Sequence, residues 1–223
     1  MEPNAMHTPT PLFQVRDPLS ALTHCIALLA AIFSTPLILV HAAEANAGKL
    51  HLVSLSIFMV SMILLYGASS AYHAFSLSEE GNRRLKKLDH TMIFFLIAGS
   101  YTPVCVITLG ESGKNLLILV WGFAIAGAIF KLCWVTCPKW VSSVIYIAMG
   151  WSCLTAMPII VRTLTPWGFF WLLLGGIFYT VGGVLYALKP KILEGKQFGI
   201  HEIFHIFVMA GSLCHYIFMY RFL

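Results

Sequence analysis

The sequence predicts an all-α membrane protein, a bundle of seven transmembrane helices, and three observations carry that reading. Hydrophobic residues make up 59% of the chain and charged residues only 10%, where a soluble domain would carry about 25% charged. Seven apolar stretches of the roughly 20 residues needed to cross a bilayer follow one another with short interruptions. Lys and Arg crowd into alternate interruptions, as they do where loops alternate between the two sides of a membrane.

The 223 residues leave no room for a large extramembrane domain. Pro3, Pro9, Pro11 and Pro18 punctuate a start without a periodic apolar face, so residues 1–16 are expected to be a flexible tail and 17–223 a single transmembrane domain. The first helix is predicted over Pro18–His41; its apolar run is too long for a signal-peptide core, so it is expected to be retained. The second spans Leu50–Phe75. A charged loop, Glu79–Lys87, precedes a third helix from Leu88–Asp89 to Leu109. The fourth covers Leu116–Val135, the fifth Val141–Val161, the sixth Trp167–Leu188 and the seventh Ile200–Tyr220.

Seven spans set the two termini on opposite sides. The N-terminal side then holds Arg16, Arg83, Arg84, Lys86, Lys87, Lys131, Lys139, Lys189, Lys191 and Lys196, and the other only Lys49, Lys114, Arg162 and Arg221. By the positive-inside rule the N-terminus is cytoplasmic and the C-terminus outside. The net charge of +5 is accordingly read as membrane orientation, with lipids as partners and no nucleic acid. Gly122, Gly127 and the pairs Gly175-Gly176 and Gly182-Gly183 are read as points of close helix packing. The sequence shows no internal repeat of the transporter kind. The six cysteines form no C-x-x-C pair and read as apolar fillers, Cys133 and Cys137 at i, i+4 included.

The chemistry gathers at one level. His201-Glu202-Ile203-Phe204-His205 places two imidazoles one turn apart on a single helix face, a spacing that suits one metal ion. The same letters read as H-E-x-x-H, in which the Glu serves as general base beside a zinc ion. The predicted topology brings His73, at the end of the second helix, and Asp89, at the start of the third, to the same side of the bundle. Ionisable groups at membrane depth are costly and usually functional. Three imidazoles suit Zn2+ and leave a fourth position for water, which Asp89 is placed to deprotonate. Ser69 lies one turn before His73, on the same face. The plainer reading of Asp89 is an acid favoured by a helix N-terminus. His24, near the same level, is the best substitute ligand. His90 is expected to point about 100° away from Asp89, and His215 to lie about 15 Å beyond His205. His7, His41 and His51 are expected to be solvated.

Together these elements resemble the haemolysin III-related group of seven-helix membrane proteins, which includes the progestin and adipoQ receptors. The resemblance rests on Ser69-x-x-x-His73, on Lys87-Leu88-Asp89 leading to Ala98-Gly99-Ser100-x-x-Pro103, and on His201-x-x-x-His205 followed by His215. It implies a zinc ion held by His73, His201 and His205 with Ser69 and Asp89 close by, on the cytoplasmic side. In the receptor relatives and the similar alkaline ceramidases this arrangement is associated with hydrolysis of lipid amides. Bacterial members usually open the first helix with Glu, Asn and His; here Asp17, Ser20 and His24 take those places. The family does not require an acid within its terminal H-x-x-x-H, which favours Asp89 over Glu202 as general base. The short tail looks bacterial, pointing to an inner membrane.

Four functions follow as expectations. The leading one is a zinc-dependent hydrolase of lipid amides or esters. The others are a lipid-homeostasis sensor with structural zinc, a pore-forming cytolysin, and an intramembrane protease relying on Glu202.

Overall fold

A computed structural model describes residues 15–193, 195 and 198–223. The expected tail up to Gln14, with His7, lies outside the described residues, as does Lys196. The described residues contain seven helices long and apolar enough to cross a membrane, and the chain is a seven-helix membrane bundle.

The helices are α1 (Pro18–Glu44), α2 (Lys49–Ala74), α3 (Glu79–Pro103), α4 (Lys114–Cys133), α5 (Lys139–Gly150), α6 (Met157–Thr163), α7 (Pro166–Leu188) and α8 (Ile200–Phe222). Helices α5 and α6 together make the fifth span, Lys139–Thr163. Neighbours in sequence pack against each other from α1 to α4, α8 lies against both α1 and α7, and α5 packs on α7. The outward faces are apolar, as on α1, where Leu22, Ile26, Leu29, Phe33 and Leu37 are exposed at helical spacing; in a bilayer such a face meets acyl chains at no cost.

Two helices differ from expectation. The third begins at Glu79 rather than Leu88, because Ser78 caps it by accepting from the Gly81 N–H and two acids occupy its first turn; both features stabilise a helix start. The charged segment is therefore helix, reinforced by the Glu80–Arg84 pair. Asp89 now lies well inside α3, so a helix-terminal role for it is excluded.

The fifth span is broken. After Gly150 the chain winds through a 3-10 stretch, Trp151–Ala156, and resumes as α6 with Pro158 in its first turn. Proline removes one helical donor, and a break at membrane depth leaves backbone groups that the protein itself must satisfy. Tyr101 of α3 does so: its hydroxyl donates to the Gly150 carbonyl and accepts from the Cys153 N–H.

The glycines divide by rotational phase. A Cβ at Gly127 would sit 2.2 Å from the Phe94 ring, one at Gly175 2.3 Å from the His215 imidazole, and one at Gly182 2.7 Å from Phe207. At Gly122 and Gly176 it would meet nothing within 4 Å, so these two are not packing points. Gly127→Ala is expected to destabilise the bundle by about 1–3 kcal/mol through overpacking against Phe94. Gly122→Ala, which gains helix propensity at no steric cost, should leave the thermal midpoint of the detergent-solubilised protein unchanged or raise it.

Candidate metal centre

Three imidazoles meet where the end of α2 faces the start of α8. His73 and His205 are 3% and 2% exposed, and His201 is partly buried beside them. One ring nitrogen from each lies within 4.8 Å of the others, and the Nε2 atoms of His73 and His201 are 3.0 Å apart. Nitrogen lone pairs repel at that distance unless a proton or a cation lies between them. Bonds of about 2.0–2.1 Å to one ion would set ligand nitrogens a little over 3 Å apart, so the donor set fits a divalent ion that imidazoles bind. The three expected ligands are thus brought together by α2 and α8.

Helix α1 supplies what orients them. The Asp17 carboxylate accepts from His73 Nδ1 at 3.0 Å, which turns the Nε2 lone pair into the cluster. Arg16 bonds the same carboxylate oxygen at 3.1 Å and lies over the Tyr72 ring. Partial burial pushes the Asp17 carboxyl up, but its bonds to His73 and Arg16 outweigh that and hold it below the ordinary carboxylate value. Thr23 does for His205 what Asp17 does for His73. Its hydroxyl donates to the Ser20 carbonyl and so accepts from His205 Nδ1, 3.2 Å away. Outer partners of this kind fix the tautomer and aim of metal-binding histidines.

Thr23 went unnoticed in the sequence, and Asp17 was noticed without a role. A usable signal existed: Asp17, Ser20, Thr23 and His24 fall within two turns on neighbouring faces of one helix.

The remaining candidates are placed as follows. Asp89 is 7% exposed and Ser69 1%, and both line a mostly apolar cavity of about 170 Å³ that also touches His24, His201 and His205 and reaches Met157 and Ile160 of α6. Ser69 Oγ is buried without a hydrogen-bond partner among the described residues. Asp89 and its neighbour His90 meet at their side-chain ends, with Oδ2 3.3 Å from His90 Nδ1. His24 stacks on His205 with ring centroids 3.5 Å apart and stays outside the nitrogen cluster; both its nitrogens lack partners among the described residues.

Glu202 has both oxygens engaged. Oε1 accepts from the Ser20 hydroxyl at 2.6 Å and Oε2 from the Gly199 N–H at 2.9 Å, so it ties α8 to α1 and caps its own helix. His215 Nε2 donates to the Leu172 carbonyl at 3.3 Å, within the helix packing. His41 is exposed, but His51 is half-buried with Nε2 shielded, contrary to the expectation of solvation.

The family model described as Haemolysin-III related matches residues 13–216. The chain belongs to that family. It is 34% identical over 203 residues to the Hemolysin-3 homolog of Bacillus subtilis, covering 90% of this chain and 92% of that one. It is 36% identical over 194 residues to Hemolysin-3 of Bacillus cereus, covering 86% and 85%. More distantly, it is 26% identical over 197 residues to the Adiponectin receptor protein of Drosophila melanogaster, covering 71% of this chain and 40% of the receptor. The haemolysin III-related family thus joins bacterial and receptor branches, and this chain matches the bacterial proteins along nearly their whole length.

If α1 orients the ligands, its partner to His73 governs metal retention. Asp17→Asn should weaken metal affinity by about 10–100-fold with the fold unchanged, measured by competition with a chromophoric chelator. An affinity equal to wild type would remove Asp17 from the centre.

Proposed function

We propose that this protein is a zinc-dependent hydrolase of lipid amides or esters, working at the cytoplasmic face of a bacterial inner membrane. One observation carries the reading: of three convergent imidazoles, those of His201 and His205 line an apolar cavity that Asp89 and Ser69 also line. A structural site needs no such cavity, whereas hydrolysis of a lipid needs one that admits an acyl chain and presents its carbonyl to polar groups. The orientation follows from the basic residues, which gather at the end of the bundle that holds the histidines.

His73, His201 and His205 would hold the ion. All-imidazole ligation favours zinc among the available divalent metals. Zinc bound there supplies Lewis-acid polarisation of a carbonyl and a water that is acidic near neutral pH. The chain's own groups account for the rest. Asp89, buried at the cavity wall, takes the proton from the attacking water and passes it to the departing amine or alcohol as the carbonyl carbon's bond to that group breaks. Ser69, whose buried hydroxyl has no partner among the described residues, donates to the oxygen that becomes negative. The apolar walls exclude bulk water and take up the acyl chain.

The purified protein is therefore expected to carry one zinc per chain, lost in His73→Ala, His201→Ala and His205→Ala, and to release fatty acid from ceramide-like or phospholipid substrates. Asp89→Asn should retain zinc while losing about 100-fold or more in rate, the usual worth of a general base. Full activity in Asp89→Asn would overturn its role. Loss of peptide cleavage confined to Glu202→Gln would support the protease reading instead.

A further inference from the structure

A second buried polar cluster lies at the junction of α4 and α5. Lys131, on the last turn of α4, is 1% exposed. Long basic side chains are almost never that buried unless paired with an acid, yet among the described residues no carboxylate forms an ion pair with it. Its Nζ instead donates to Cys137 Sγ at 3.1 Å and to Ser142 Oγ at 2.5 Å, and that sulfur and oxygen are 3.2 Å apart. The carbonyls ending α4 offer the charge its remaining compensation.

This arrangement has an oxidative chemistry of its own. Electropositive surroundings are where cysteine sulfur reacts selectively with oxidants, and Cys137, though buried, keeps 8% of its surface exposed. All six cysteines are free, and the hydrogen-bonded neighbours of this sulfur are an amine and a hydroxyl, not another thiol. A sulfenic acid formed here faces a primary amine held against it.

We propose that Lys131 and Cys137 are a redox modification site, at which a hydroperoxide drives a covalent, reversible sulfur–nitrogen cross-link. In the first step the thiol sulfur attacks one peroxide oxygen and the O–O bond breaks. The sulfur is oxidised by two electrons to a sulfenic acid, and the peroxide is reduced to water or, if organic, to its alcohol. In the second, Lys131 Nζ gives one proton to water and its free amine attacks that sulfur; the S–O bond breaks, and the departing hydroxide takes a second proton from the nitrogen and leaves as water. No further oxidant is consumed. A dithiol reverses the link by attacking the sulfur and releasing the amine.

The link would fasten the α4–α5 connection at a place that bears on the cavity. Ser142 is one of the cavity-lining residues, and Lys139, two residues beyond Cys137, lies over the Tyr186 ring that packs beside His201.

The test uses intact wild-type protein in detergent micelles, treated with hydrogen peroxide, alkylated with iodoacetamide, cut with trypsin and mapped by mass spectrometry. The expected result is that alkylation of Cys137 falls at least about tenfold and cleavage after Lys131 fails. The peptide running from Asn115 to Lys139 should then be lighter by a pair of hydrogens, and dithiothreitol should restore both sites. Cys137 that stays alkylatable, or that oxidises while Lys131 is still cut, overturns the cross-link. In Lys131→Met, the sulfur should pass instead to the irreversible sulfinic acid.

Discussion

A polar group in an apolar solvent must find its partner inside the protein, and this bundle meets that constraint with a nearly continuous chain of contacts across three helices. It runs from Arg16 to Asp17, on to His73, across the imidazoles to His205, and from His205 to Thr23. From there Ser20 returns to α8 through Glu202. Hydrogen bonds involving a charged partner contribute about 1.5–3 kcal/mol each, so the first two turns of α1 hold the end of α2 and the start of α8 in register. The aim of the three imidazoles and the helix packing depend on the same bonds, so the histidine cluster belongs to the fold and is not a decoration upon it.

The same constraint explains why H-E-x-x-H means something here that it does not mean in a soluble zinc protease. Glu202 stands at the third position of a helix that opens at Gly199, where a carboxylate reaches back to the exposed N–H of the helix start. At that position an acid is favoured by capping and by the helix dipole whether or not a metal is near. Two histidines a turn apart beside it complete the letters of the motif. The acid in the cavity wall comes from another helix, α3, where Asp89 has no capping duty because the helix begins ten residues earlier.

What the sequence disclosed and what it hid follow from sequence distance. Apolar runs of membrane-spanning length are local, so all seven spans could be read, and the spacing of His201 and His205 is a property of one helix. His73 could be added because topology alone puts it at the right end. The bonds that aim these rings join residues 56 and 182 positions apart, and no periodicity encodes them. Rotational phase was equally hidden: Gly127 and Gly122 lie on one helix, yet only the first faces a ring. The break in the fifth span is local and so legible, since Gly150 and Pro158 flank it and neither favours a helix interior.

That break shapes the cavity. An unbroken fifth helix would keep its backbone bonds to itself and leave the Tyr101 hydroxyl without a task. Because the helix opens at Gly150, Tyr101 binds the loosened turn to α3, and the residues on either side of the break, Tyr146 before it and Met157 after it, reach the same cavity. Part of the cavity wall is therefore made of two short helices joined by a 3-10 turn. The first of them, α5, is tied to α3 through Tyr146, which donates to the His90 carbonyl at 2.9 Å, beside the Asp89–His90 pair. Its first turns carry Ser142, and through it the Lys131 cluster. Helices α2 and α8 thus hold the imidazoles and α1 aims them, while the segmented fifth span frames part of the apolar space that His201 and His205 line.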